Sequence, residues 1–409
     1  MVDLEAVFRE PGQMRKSLAL PLVTAVAVLG LSAPAQAAPA DRPQELIAQL
    51  QQLLPADYEQ RVAEFDRRLG IDDDLSDVAR AVLNPDDYEC ESTQLKDWLN
   101  STIAGWTDED RLGASILLLV NTPMYDALFF PEPEQQRFFG LDGEYTTVLR
   151  RTFPDLKRFW DIDASGIEML PAHGNAMLDT ARTARVLQVV FGSSPEEARE
   201  AAEAVREVAG LPVYDNGDAP IFTFNAFAYS PEGVEVPGVG LPTDKIVVGD
   251  GVLAGFRSVG LGDVAPQAIL GHEFGHHIQY QQGLRESDLP APEATRRTEL
   301  MADSFSSYFL AHRRGANMRW VRIKHFIDAF GNIGDCNFDS PNHHGTPNQR
   351  TRAAEWGTLM GVLALPPFYR VVPSRTLAAS FDKALPRMVR PDAPRQVELT
   401  PAEKTAGRI

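Results

Sequence analysis

The amino-acid sequence predicts an α+β fold that is predominantly helical, with a helical N-terminal region ahead of a region that joins a small sheet to two long helices. Three observations carry this expectation. From about residue 43 to 210 apolar residues recur at helical spacing, as in Leu46, Ile47, Leu50, Leu53 and Leu54. After Leu211-Pro212 the runs 221–229 and 245–249 turn aromatic and apolar without a helical stripe, and read as strands. Helical segments then follow at about 265–283 and 292–313.

Composition fits a folded chain of this size. Of 409 residues, 44% are apolar and 23% charged, which argues against a disordered, collagenous or polytopic membrane chain. Acids outnumber bases 57 to 39, a formal charge of -18, so nucleic acid and anionic membranes are not expected partners.

The first element is an export signal. Leu18–Leu31 is uncharged, follows Arg15 and Lys16, and ends near Ala35-Gln36-Ala37, a small-x-small cleavage triplet. The run falls short of the roughly twenty residues a membrane span needs, so cleavage after Ala37 is expected, with a retained anchor as the alternative. Asp3, Glu5 and Glu10 make an irregular start to such a signal, which makes Met14 the expected true start. Removing residues 1–37 leaves the charge unchanged, since they hold three acids and three bases. The mature protein is then expected outside the cytoplasm, secreted or in the cell envelope, and without stable membrane insertion. In that oxidising setting Cys90 and Cys336 read as one disulfide, which in the chain-entropy model would stabilise by about 4–5 kcal/mol. Two separate buried thiols are the other reading.

Residues 38–210 form the expected helical region. Pro195 opens a helix capped by Ser194, and turns fall at Asn84-Pro85-Asp86-Asp87 and Pro131-Glu132-Pro133. Asp161 and Asp163 beside Trp160 read as a helix-entry loop rather than a metal pair, because no ligands follow at calcium-loop spacing. Residues 211–365 form the region that carries chemistry. Residues 366–409 read as a final helix and, beyond about 387, a proline-rich, charged and disordered tail.

The chemistry centres on Gly271-His272-Glu273-Phe274-Gly275-His276-His277. On a helix His272 and His276 lie one turn apart on one face, where both imidazoles reach one zinc ion, and Glu273 reaches a water on it. Asp263 is the expected N-cap, Pro266 falls in the first turn, Gly283 ends the helix, and Leu270, Phe274 and Ile278 form its buried stripe. Gly271 and Gly275 each cost about 1 kcal/mol relative to alanine inside a helix, so another element is expected to approach there. Glu299 and Asp303 are again one turn apart on the next helix. Glu299 completes a His2Glu zinc site with its fourth position open, and Asp303 accepts from a ligand histidine's distal nitrogen. His277, about 100° round the helix, is expected to pack rather than ligate. His173, His312 and His325 are isolated and have no assigned role.

His-Glu-x-x-His followed by Glu-x-x-x-Asp resembles the gluzincin zinc metallopeptidases. HEFGHHIQ with ELMAD resembles more specifically the bacterial neutral zinc metallopeptidases, and His344-Gly345-Thr346-Pro347-Asn348-Gln349-Arg350 is similar to a downstream segment of theirs. The resemblance covers about residues 221–357 and not the helical N-terminal half. It implies a zincin-like catalytic region, one zinc per chain, and peptide or protein substrates. Site by site it implies His272, His276 and Glu299 as ligands and Glu273 as general base, the assignment already reached from the residues. Asn225 and Ala226 resemble the substrate-pairing edge strand of gluzincins; an ordinary buried strand is the alternative. For a second oxyanion donor His344 comes first and His343 second, against a turn held by ordinary hydrogen bonds, while Tyr308 and Tyr280 sit at spacing usual for core or rim. An idle zincin fold that binds an envelope partner, and a zinc amidase acting on cell-wall peptide, are the rival functions.

Overall fold

The computed structural model describes residues 42–71, 93–332, 344–364, 369–390, 393–394 and 396–408. The Leu18–Leu31 signal with Met14 and the Ala37 cleavage point, the Asn84–Asp87 turn, the Cys90–Cys336 pair and His343 lie outside the described residues.

A predominantly helical α+β architecture surrounds a three-stranded mixed sheet. In chain order the elements before the sheet are α1 (Arg42–Leu53), α2 (Tyr58–Leu69), α3 (Gln94–Thr102), α4 (Asp108–Val120), α5 (Thr122–Phe129) and α6 (Thr146–Phe159). Strand β1 (Glu168–Ala172) and helices α7 (Thr180–Val190) and α8 (Pro195–Ala209) follow. Then come β2 (Ala226–Tyr229), β3 (Lys245–Gly249) and α9 (Asp250–Ser258), ahead of α10 (Ala265–Gln282), α11 (Ala291–Ala311), α12 (Trp320–Gly331), α13 (Pro347–Val362), α14 (Ser374–Met388) and α15 (Pro401–Ala406).

Strand β3 is central, parallel to β1 and antiparallel to β2, with Glu168 opposite Lys245 and Ala226 opposite Val248. Its residues are all buried, the continuous apolar run expected of a strand covered on both faces. The sheet thereby crosses the expected boundary at residue 210: β1 comes from the stretch read as helical, and Asp41–Ile409 forms one compact unit. Proline at 171 and only five residues leave β1 no alternation to read; its partner supplies the order.

Two further expectations are corrected. The run 221–229 is a strand only from Ala226; Pro220–Thr223 is a short 3₁₀ turn, held where the Thr223 hydroxyl accepts from the Gly251 amide at 2.9 Å. The C-terminal tail is ordered where it is described. Glu403 of α15 is buried and accepts from Trp356 Nε1 at 2.9 Å and from Arg387 at 2.6 Å, while Thr400 caps α15 in a capping box. Gln349, Arg352 and Glu355 of α13 bond the backbone of Val389, Ala393 and Val397, so the tail's polar groups lie along this helix. The Asp161–Asp163 segment is a loop as expected, though it leads into β1 rather than a helix: Asp161 accepts from the Ser374 amide and Asp163 from Ser165.

Candidate metal centre

Helix α10 begins at Ala265 with Pro266 in its first turn and ends at Gly283, whose left-handed backbone (φ 62°) closes it. Asp263 is not its cap: Val264 holds that position, and the Asp263 carboxylate faces Arg322 and His325, each at 3.8 Å. Leu270, Phe274 and Ile278 are fully buried, as their stripe predicts. Helix α6 supports this face, with Phe153 edge-on to Phe274 at 6.4 Å and Gln267 donating to Thr152.

The two glycines are where α11 approaches. A Cβ on Gly271 would stand 2.5 Å from the Ser306 hydroxyl oxygen, and one on Gly275 would stand 3.1 Å from Ala302 Cα. On its other side α11 meets α13 in the same manner, since a Cβ on Gly357 would stand 2.2 Å from the Ser304 carbonyl oxygen. Ser306 donates to the Ala268 carbonyl and Ser304 to that of Ala353, so hydroxyl bonds fasten both contacts. Small residues thus fix the register of α10, α11 and α13.

That register brings the predicted ligands together. His272 Nε2 lies 3.0 Å from His276 Nε2 and 3.1 Å from Glu299 Oε2, and His276 Nε2 lies 3.4 Å from Glu299 Oε1. Around a tetrahedral zinc with bonds of about 2.0–2.1 Å, ligand atoms stand about 3.3 Å apart, so the donor set fits. Glu273 also offers an oxygen within 4.8 Å of the histidine nitrogens, so it borders the same point as the Glu299 oxygens.

Hydrogen bonds behind the two imidazoles set their protons. His272 Nδ1 donates to Asp303 Oδ1 at 2.8 Å, as predicted. His276 Nδ1 donates to Gln279 Oε1 at 2.9 Å, and Gln279 in turn donates to the Thr298 carbonyl of α11 at 2.7 Å. When both imidazoles are neutral, each turns an acceptor nitrogen toward a carboxylate, a donor set that a cation would complete. Burial opposes charge on His272, yet its hydrogen bonds with Asp303 and Glu299 push it up to about 10. Burial likewise opposes ionisation of Glu299, but His276 and His272, with His344, hold it well below the usual carboxylate range. Burial works against Asp303 too, and the Arg350 guanidinium with His272 lowers it. Glu273, Glu299 and Asp303 outnumber Arg350 in this buried group, and loss of the His272 proton to an ion would leave two surplus negative charges, the complement of a divalent ion.

A cleft of about 430 Å³ opens on the centre, lined by Glu273, His276 and Glu299 and, opposite, by Ala226, Phe227 and Ala228 of β2. β2 is a sheet edge: its one strand partner among the described residues is β3. Ala226 lines the cleft, whereas the Asn225 carbonyl accepts from the Gly249 amide at 2.8 Å inside the sheet. His344 is buried and acts electrostatically on Glu299, and the cleft-lining residues do not include it. Tyr280 lines the cleft and donates to the Ala228 carbonyl at 3.2 Å; Tyr308 is core, its hydroxyl accepting from the Val372 amide. His277 packs as expected. Its Nε2 donates to the Lys245 carbonyl at 3.0 Å, and burial lowers it to about 4.

Gln279 and Arg350 are the site residues that sequence reasoning did not assign. Gln279 follows His276 by three residues on the same helix, a legible signal; Arg350 ends the His344–Arg350 segment noted in the sequence, but its contact with Asp303 is given only by the packing of α13. Comparison of the chain with family models, curated proteins and solved structures found no match.

Proposed function

We propose that this chain is an exported, zinc-dependent peptidase with a zincin-like catalytic region. One observation carries the reading: two imidazole nitrogens and a carboxylate meet within 3.4 Å at the wall of a cleft bounded by an edge strand. His272, His276 and Glu299 would hold the zinc, which when bound supplies Lewis acidity to activate water and polarise the scissile carbonyl. The Glu273 carboxylate takes a proton from the attacking water and returns it to the leaving amine. Asp303 and Gln279 hold the two Nδ1 protons, so both Nε2 atoms stay turned to the centre. An extended peptide adds to β2 as a further strand, which lays its backbone across α10.

The test is zinc content measured beside digestion of a peptide library, wild type against Glu273→Gln. Both proteins should hold one zinc and only the wild type should cleave. A wild type that holds zinc yet cuts neither unfolded protein nor peptides overturns the peptidase reading. Digestion of peptidoglycan without casein would move the chemistry to a cell-wall amidase.

A further inference from the structure

We propose that Arg350 is a positioning residue of the metal centre: its guanidinium grips both oxygens of Asp303, so that this carboxylate fixes the His272 ring with Nε2 toward the ion. The inference rests on the metal-centre reading above and adds to it a third helix, α13, that carries none of the ligands.

The geometry is specific. Arg350 Nε donates to Asp303 Oδ2 at 2.9 Å and one terminal nitrogen donates to Oδ1 at 2.7 Å. The same Oδ1 accepts from His272 Nδ1 at 2.8 Å. Engaging both oxygens opposes rotation of the carboxylate about its Cβ–Cγ bond, and so holds the imidazole it orients. The terminal nitrogen of Arg350 also lies 3.8 Å from Glu299 Oε2, so one cation stands behind two of the three ligands. Arg350 is 2% exposed, and a packing role alone does not account for it, because apolar side chains of like volume usually serve stability as well as a buried ion pair does. Its backbone is fixed relative to Asp303 by the close Gly357–Ser304 approach and the bond from Ser304 to the Ala353 carbonyl. A lysine would bring the charge without the two-point fork.

The experiment measures zinc affinity by chelator competition, and the visible spectrum of the cobalt-loaded protein, for full-length wild type, Arg350→Met, Arg350→Lys and His272→Ala. Outer partners of metal ligands are typically worth about 10–100-fold in affinity. Arg350→Met should lose about that much and Arg350→Lys several-fold, both with a wild-type far-ultraviolet spectrum and an altered cobalt spectrum. If Arg350→Met does not fold, Arg350→Lys decides. Folded variants with wild-type zinc affinity and cobalt spectrum overturn the role of Arg350 while His272→Ala still loses the metal. If His272→Ala binds zinc as the wild type does, the metal-centre reading falls first and this inference with it.

Discussion

Among the described residues two buried histidine–aspartate pairs are easily mistaken for one another. His173 meets Asp250 at 2.7 Å, and His272 meets Asp303 at 2.8 Å. Both imidazoles are raised above their ordinary value although burial opposes the charge. They part company at the second ring nitrogen. His173 Nε2 is bound to the Gln136 carbonyl at 2.8 Å, its ring lies on Phe138 at 4.3 Å, and Asp250 also accepts from the Gly140 amide. Both of its nitrogens are used within the fold. His272 instead turns its second nitrogen to another imidazole and a carboxylate at a cleft wall. A histidine–carboxylate bond is thus a poor marker of chemistry in so acidic a chain. Convergence of acceptors on one point is the better one.

The largest expected effect sharpens this contrast at the cleft. Glu273→Gln should reduce peptide hydrolysis by at least about a hundredfold with zinc retained, since general-base catalysis is typically worth about 10²–10⁴-fold. His173→Gln should leave turnover within about twofold, and a comparable loss in both variants would erase the distinction. Next comes the ligand set. Glu299→Ala removes the anion that both imidazoles face, and should weaken zinc binding by more than the roughly 10–100-fold typical of outer partners. Full zinc occupancy at low free metal would exclude Glu299 as a ligand.

The close helix contacts belong to one of the two regions, and they give a mid-sized test. Gly275→Ala places a Cβ 3.1 Å from Ala302 Cα and 3.3 Å from its Cβ, so α10 and α11 must separate slightly. Overpacking of this kind costs about 1–3 kcal/mol, offset in part by the roughly 1 kcal/mol gained in helix propensity. Zinc affinity should fall together with the urea midpoint. A variant with a lower midpoint and unaltered zinc affinity would show that ligand register does not depend on this contact.

Why the His272 side was legible and the His173 side was not is a matter of range. His272, Glu273 and His276 are set by one helical period, and Glu299 and Asp303 by another. Only the angle between two helices was missing, and Gly271 and Gly275 already marked where they touch. Arg350 needs α13 placed against α11, and β1 needs a partner at Lys245, neither of which any local pattern fixes. His173 finds Asp250 only after the sheet has formed, since Asp250 opens α9 directly beyond β3. The tail is a different failure: proline and charge suggested disorder, while Thr400 to Glu403 already spelled a capping box.

The smallest expected effect is the most direct check on His173 as a structural residue. Burial lowers its affinity for a proton, but the hydrogen bond and charge of Asp250, with the Gln136 carbonyl, more than reverse this and leave it above 6.5. A group whose folded value is raised stabilises most when it is protonated in both states. Its contribution is therefore complete below about pH 6.5 and is lost as pH rises through the folded value. Urea unfolding of wild type and His173→Gln, both in excess zinc, between about pH 5.5 and 8.5 should show a gap of about 1.5–3 kcal/mol at the acid end, the size of a charged hydrogen bond, that narrows toward the alkaline end. Comparing two proteins in the same excess of zinc cancels titration around His272, which both share. A gap that widens with pH would mean that His173 is neutral in the folded protein and that Asp250 holds it as an uncharged donor.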